Sequence, residues 1–229
     1  MAVDKRNIFL SQTAEPLSYT SAQRHVGSQY PRRNTVSHAD FIRHKLRECY
    51  AEELEQRQVA AIRYKEGTYL EFSGAPQYDL AIKSLENRTQ GIRLLNVHKD
   101  TERNIIKATV YVPEGKESYY IQKVESYASE RTTLDHPKNN ELVSSIENVK
   151  LAMLESFWFG KPDTIPTNIP VWCELWLRYD YQPDEQESRR ITEENIALIC
   201  RENNIPIDEK QIIFPERIVK LVKANANTL

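Results

Sequence analysis

Three cysteines and five histidines are the residues best suited to nucleophilic or metal chemistry in this chain, and their spacing favours neither. A thiol nucleophile needs a base within hydrogen-bond reach and a group that orients that base. Cys49 has His44 near it in sequence, but Cys49 and Cys200 both fall on the apolar faces of predicted helices, where a thiol is usually buried and inert. His38, His44 and Cys49 stand six and five residues apart, which does not stack three ligands on one helical face. Gly27, Gly67, Gly74, Gly91, Gly115 and Gly160 are too widely separated for either glycine-rich phosphate loop, and no Gly-x-Ser-x-Gly occurs. The carboxylates of Glu52, Glu53 and Glu55, and of Glu193 and Glu194, have basic neighbours and read as solvated helix faces. No catalytic, cofactor-binding or metal-binding residue is therefore expected.

Aromatic residues remain. Trp158, Trp172 and Trp176, with Tyr179 and Tyr181, are expected mostly to pack in a core. Trp172 and Trp176 are different, because both alternate away from the apolar face of their strand. They are the candidate contact to something outside this chain.

Composition narrows the field. The 229 residues are 40% hydrophobic and 28% charged, enough to bury a substantial core. A net charge of -2 and a pI near 6.3 do not favour phosphate-dominated binding, so nucleic acid is not an expected partner. Ile8-Phe9-Leu10 is too short for a signal-peptide core, and no run of about 18 apolar residues exists, so a cytoplasmic protein with no membrane association is expected. Three unpaired, scattered cysteines fit reduced thiols.

The elements that must position the tryptophans follow from periodicity. Residues 1–36 lack it and read as a mobile, locally basic arm. Ser37 caps a helix to about Arg57, with Ala39, Ile42, Leu46 and Cys49 inward. Val59 to Ser73 reads as a hairpin turning at Lys65-Glu66-Gly67. A short helix over Tyr78–Asn87, strands near Ile92–Val97 and Ile106–Val112, and a helix marked by Tyr120, Ile121, Val124 and Tyr127 come next. Strand, helix, strand, strand, helix predicts an α+β fold of ferredoxin-like, split βαβ type that lacks only its fourth strand. An RNA-binding aromatic motif of the kind such sheets can carry is missing from Ile105–Val112. Leu142, Ile146, Val149, Met153 and Phe157 recur at spacings of four, three, four and four, predicting an inserted helix that ends near Gly160. This places one domain over 37–165 and a second, incomplete α+β unit over 166–229. Val171–Tyr181 either closes the first sheet or opens that second unit. Thr192 caps the following helix, with Ile196, Ile199 and Cys200 inward, and Ile212–Lys223 returns as β structure broken at Pro215. A strand-like run so near Leu229 leaves this unit unfinished: it pairs onto the first sheet, or the chain is part of a longer protein.

Several segments taken together are similar to the N-terminal region of bacterial subtilisin-like serine proteases. They include Tyr69-Leu70-Glu71-Phe72-Ser73-Gly74, Gly91-Ile92-Arg93-Leu94-Leu95-Asn96-Val97 and Ala108-Thr109-Val110-Tyr111-Val112-Pro113-Glu114-Gly115-Lys116. Leu151-Ala152-Met153-Leu154-Glu155-Ser156-Phe157-Trp158, Trp172-Cys173-Glu174-Leu175-Trp176-Leu177-Arg178 and Phe214-Pro215-Glu216-Arg217-Ile218-Val219 continue the likeness in order. The resemblance implies a prosegment-like region that precedes a catalytic domain and restrains or positions it. It places the Asp, His and Ser of the triad beyond Leu229. No Asp here begins an Asp-Ser/Thr-Gly, no His is followed by Gly, and Gly67-Thr68-Tyr69 has Tyr where a nucleophile would stand. The implied partner is the cognate catalytic domain. Some proteases of this group resemble partners of an ATPase in phage defence, which implies an alternative role as an adaptor recruiting such an ATPase through Trp172 and Trp176.

Overall fold

The computed structural model describes residues 30–59, 67–160, 162–179 and 184–228. The chain is a mixed α+β protein with two antiparallel sheets. Helix α1 spans Thr35–Val59, and the Asn34 side-chain oxygen accepts from the Ser37 amide at 3.1 Å. The cap expected at Ser37 therefore sits three residues earlier, because Asn34 reaches the free amide first. Ala39, Ile42, Leu46 and Cys49 are buried at the spacing of one helical face. Near its C-terminal end, Arg57 pairs with Glu53 at 3.1 Å and donates to the Gly67 carbonyl at 2.9 Å, which ties the helix to the first strand. Of the arm expected over 1–36, only the last residues are described. There Tyr30 donates to Glu141 at 3.2 Å, Arg33 pairs with Glu147, and α1 is already under way.

The first sheet contains β1 (Gly67–Gly74), β2 (Arg93–Asp100), β3 (Ile105–Pro113) and β4 (Ile146–Leu151), in the order β2-β3-β1-β4. All neighbours are antiparallel. The second helix, α2, spans Ser118–Ser129, and short helices α3 (Asn140–Ser145) and α4 (Leu154–Phe157) flank β4. Leu70, Phe72, Ala108, Val110, Val112, Val149 and Leu151 share one core with Ile42 and Leu46 of α1 and Tyr120, Val124 and Tyr127 of α2. Phe72 and Tyr120 lie 4.9 Å apart between ring centroids, and the Tyr120 hydroxyl donates to the Leu85 carbonyl.

Three expectations need correction here. Of the hairpin over Val59–Ser73, Val59 ends α1, positions 60–66 lie outside the described residues, and from Leu70 to Ser73 both edges of β1 are taken, by β3 on one side and β4 on the other. The alternation within β1 is real, but its partners are distant in sequence. Leu80, Ala81 and Leu85 are buried as expected, but the segment forms 3-10 turns at Ile82–Leu85 and Arg88–Gln90 rather than a helix over Tyr78–Asn87, and Leu80 and Ala81 precede the first turn. The inserted helix over 142–157 is instead α3, β4 and α4, with β4 at one edge of the first sheet. Its register explains the misreading. Ser73 faces Asn148 while Gly74 faces Ile146, so Glu147 is an extra, bulged residue. The bulge puts Ile146 and Val149 on the same face three residues apart, which imitates a helical period.

A three-stranded sheet forms the second unit. It comprises β5 (Val171–Arg178), β6 (Ile207–Phe214) and β7 (Arg217–Ala224), in the order β5-β7-β6. Of the two alternatives for β5, the second holds, and the last strand pairs with β5 and β6 and not with the first sheet. Helix α5 spans Glu185–Glu202, and its cap lies eight residues before the one expected at Thr192, because Asp184 accepts from the amides of Gln186 and Glu187. Ile196 and Cys200 of α5 pack on Cys173, Val222 and Ala224, with Trp158 against this small core. Arg178 joins the two units: it donates to the Leu94 carbonyl of β2 at 2.7 Å and pairs with Glu216 at 3.4 Å and Glu86 at 3.9 Å.

Candidate functional site

Antiparallel register decides which side chains share a face. In the second sheet, Cys173 faces Val222 and Leu177 faces Ile218 on the α5 side. The opposite face carries the other residues of each strand. Trp176 of β5, Val219 of β7 and Ile212 of β6 form one row across all three strands, and the row beside it is Arg178, Arg217 and Phe214. Leu221 lies opposite Glu174, and Lys223 opposite Trp172. Trp172 is 52% exposed and Trp176 44%, while Ile212, Phe214 and Leu221 are also exposed and Val219 is buried at the centre. The Trp176 and Phe214 rings stack 5.7 Å apart and 7° from parallel, and the Trp176 indole N–H donates to Glu174 at 3.1 Å. The result is an ordered aromatic and aliphatic surface with Glu174, Arg217 and Lys223 among it.

Trp172 and Trp176 thus stand on one face, as their alternation requires. Trp158 is not part of it; it packs on the small core, and its indole N–H donates to Thr164 at 2.9 Å. Tyr179 is buried, with its hydroxyl 2.9 Å from the Phe214 carbonyl and 3.1 Å from Glu185, where it holds the end of β6. Tyr181 lies outside the described residues. Ile212, Phe214, Val219 and Leu221 are the members that periodicity missed. Alternation on both sides of Pro215 was the available signal, but only the β5-β7-β6 order brings those residues beside the tryptophans.

His38, His44 and the three cysteines sit in structural contacts or in the cores. His38 is buried with Nε2 3.0 Å from the Val143 carbonyl and its ring edge-on to Tyr127, and burial holds its pKa below the ordinary value. His44 pairs with Glu48 at 3.0 Å. Burial pushes the Cys49 thiol up to about 11, and raises those of Cys173 and Cys200, which disfavours the thiolate a nucleophile needs. Among the described residues, no three His, Cys, Asp or Glu side chains gather as a metal site, and no helix is long and apolar enough to cross a membrane. The chemistry the aromatic face can perform is association, since large rigid rings bury much area at little entropic cost. No protein-family model matches the chain, and no curated protein does.

Proposed function

We propose that this chain is a non-catalytic N-terminal region of a bacterial cytoplasmic subtilisin-like serine protease, and that it restrains or positions the protease domain by docking the Trp172–Trp176 face on it. The observation that carries this reading is the open aromatic face itself: six apolar side chains on three paired strands, two of them half-exposed tryptophans. Contiguous exposed apolar surface of this kind marks an interaction site. The ferredoxin-like character expected of a prosegment is supported by the strand order β2-β3-β1-β4, with β5-β7-β6 matching its first three strands.

The test measures binding and inhibition of the cognate catalytic domain by the chain. Wild type is expected to bind and to slow hydrolysis. Replacing Trp172 and Trp176 together by Ala is expected to cost about 2 kcal/mol or more of binding, roughly thirtyfold in affinity, with the circular dichroism spectrum unchanged. A folded wild-type chain that neither binds nor inhibits the domain refutes the reading. If that chain captures an ATPase through the same two residues, it is an adaptor instead.

A further inference from the structure

The two sheets have four edge strands among the described residues: β2, β4, β5 and β6. Unpaired edges invite another strand, and proteins commonly blunt them with bulges, charges or brevity. Three of the four are blunted in this way. The β2 register breaks between Leu94 and Asn96, and the strand ends His98-Lys99-Asp100. β4 is six residues long and bulged at Glu147. In β6 the register breaks between Ile207 and Gln211, across Asp208-Glu209-Lys210. Only β5 is regular: its eight residues pair with β7 without a shift, and Val171-Trp172-Cys173-Glu174-Leu175-Trp176-Leu177 contains one charge and no proline. It also corresponds to β1, which in the first sheet has a neighbour on both sides.

We infer that β5 is a strand-addition edge, and that its occupant is β5 of a second copy of this chain, paired antiparallel about a two-fold axis. Self-complementarity selects this occupant. Facing residues in antiparallel strands share a face, so an axis through Leu175 sets Glu174 beside the partner copy's Trp176 and Trp172 beside its Arg178, with Cys173 beside Leu177 on the helix side. An axis through Trp176 sets Glu174 beside Arg178 and stacks the two Trp176 rings. Both match polar to polar or aromatic groups and apolar to apolar ones, whereas an axis through either charged residue, Glu174 or Arg178, opposes like charges. A one-residue slip would turn the apolar side of one copy to the wet side of the other. Pairing gives a six-stranded sheet with one continuous aromatic face.

The test is sedimentation equilibrium of the full chain from about 1 to about 100 µM, since a reversible dimer responds to concentration. The mass is expected to rise from 26.8 kDa toward twice that value. Val171→Lys and Glu174→Lys, both at exposed positions, are each expected to weaken the dimer by at least about tenfold with the fold intact. Hydrogen exchange of amides 171–178 should slow as wild-type concentration rises. A wild-type monomer throughout, or a dimer unaffected by either lysine with β5 amides insensitive to concentration, overturns the inference. Neither result bears on binding to a catalytic domain, which is measured separately.

Discussion

The two sheets share a topological core but treat their second faces differently. In both, helices cover one face with aliphatic and aromatic side chains. The other face of the first sheet is covered as well: Thr109 and Asn96 donate to the Ser156 carbonyl at 3.0 and 3.1 Å, and the Phe157 ring lies 5.8 Å from Tyr69. Even Glu71 there is only 5% exposed, with Lys150 at 3.4 Å and Lys107 at 3.7 Å. The second sheet leaves tryptophans where the first has α4 and a shielded carboxylate. A sheet face that is merely solvated is normally polar. An apolar, ordered and open face is what a surface used for association looks like, and the comparison isolates it without reference to any partner.

Four substitutions or titrations would break or sharpen that contrast. The largest effect is expected in the two-sided sheet: Phe72→Ala should cost about 3–5 kcal/mol in urea unfolding, as a cavity opens between β1 and α2. A loss below about 1 kcal/mol would mean that the first core is not the tighter one. Next is Arg178→Met, which keeps aliphatic packing but removes the hydrogen bond to Leu94 and the pairs to Glu86 and Glu216. It is expected to cost about 1–2 kcal/mol and to split unfolding into two steps, and a single unsplit transition would show that the sheets are coupled by other means.

His38 supplies a pH test confined to the first unit. Its folded pKa is lower than its unfolded one, so the unfolded chain binds a proton first. The stability gained from the neutral ring is therefore complete above about pH 6.5 and is lost as pH falls through the folded value, at no more than about 1.4 kcal/mol per pH unit. His38→Gln should flatten the melting temperature between about pH 6.5 and pH 5. Acid loss of equal size in wild type and variant would assign the effect to other groups. The smallest change is expected on the open face. Trp176→Ala removes one stacked, half-exposed ring and should cost only about 1 kcal/mol of stability. A loss as large as that of Phe72→Ala would make Trp176 a core residue and remove the rationale for association.

Local periodicity made α1, β3, α2 and the two faces of β5 legible, because each buries a stripe fixed by its own repeat. What it could not supply was pairing between distant strands. β1 alternates clearly, yet its partners start at Ile105 and Ile146, and nothing near Val59 hints at them. Residues 146–151 were hidden by the bulge at Glu147, which turned a strand's period into one resembling a helix. The same limit applied to the candidate site. Trp172 and Trp176 could be assigned to an outward face from β5 alone, whereas Ile212 and Phe214 join them only through β7, which lies between.

Arg178 gives the molecule a mechanical property. Its guanidinium bonds to the backbone of β2 through a strand that carries both exposed tryptophans, and it also grips Glu216 in the β6–β7 turn, where that residue holds a left-handed φ of 60°. A load pulling on the aromatic face therefore passes down β5 to the Arg178 clasp, whose contacts to Leu94 and Glu86 lead into the first unit. In a force-extension measurement, the second unit should be the fuse: it gives way first, and the clasp sets the force at which it does.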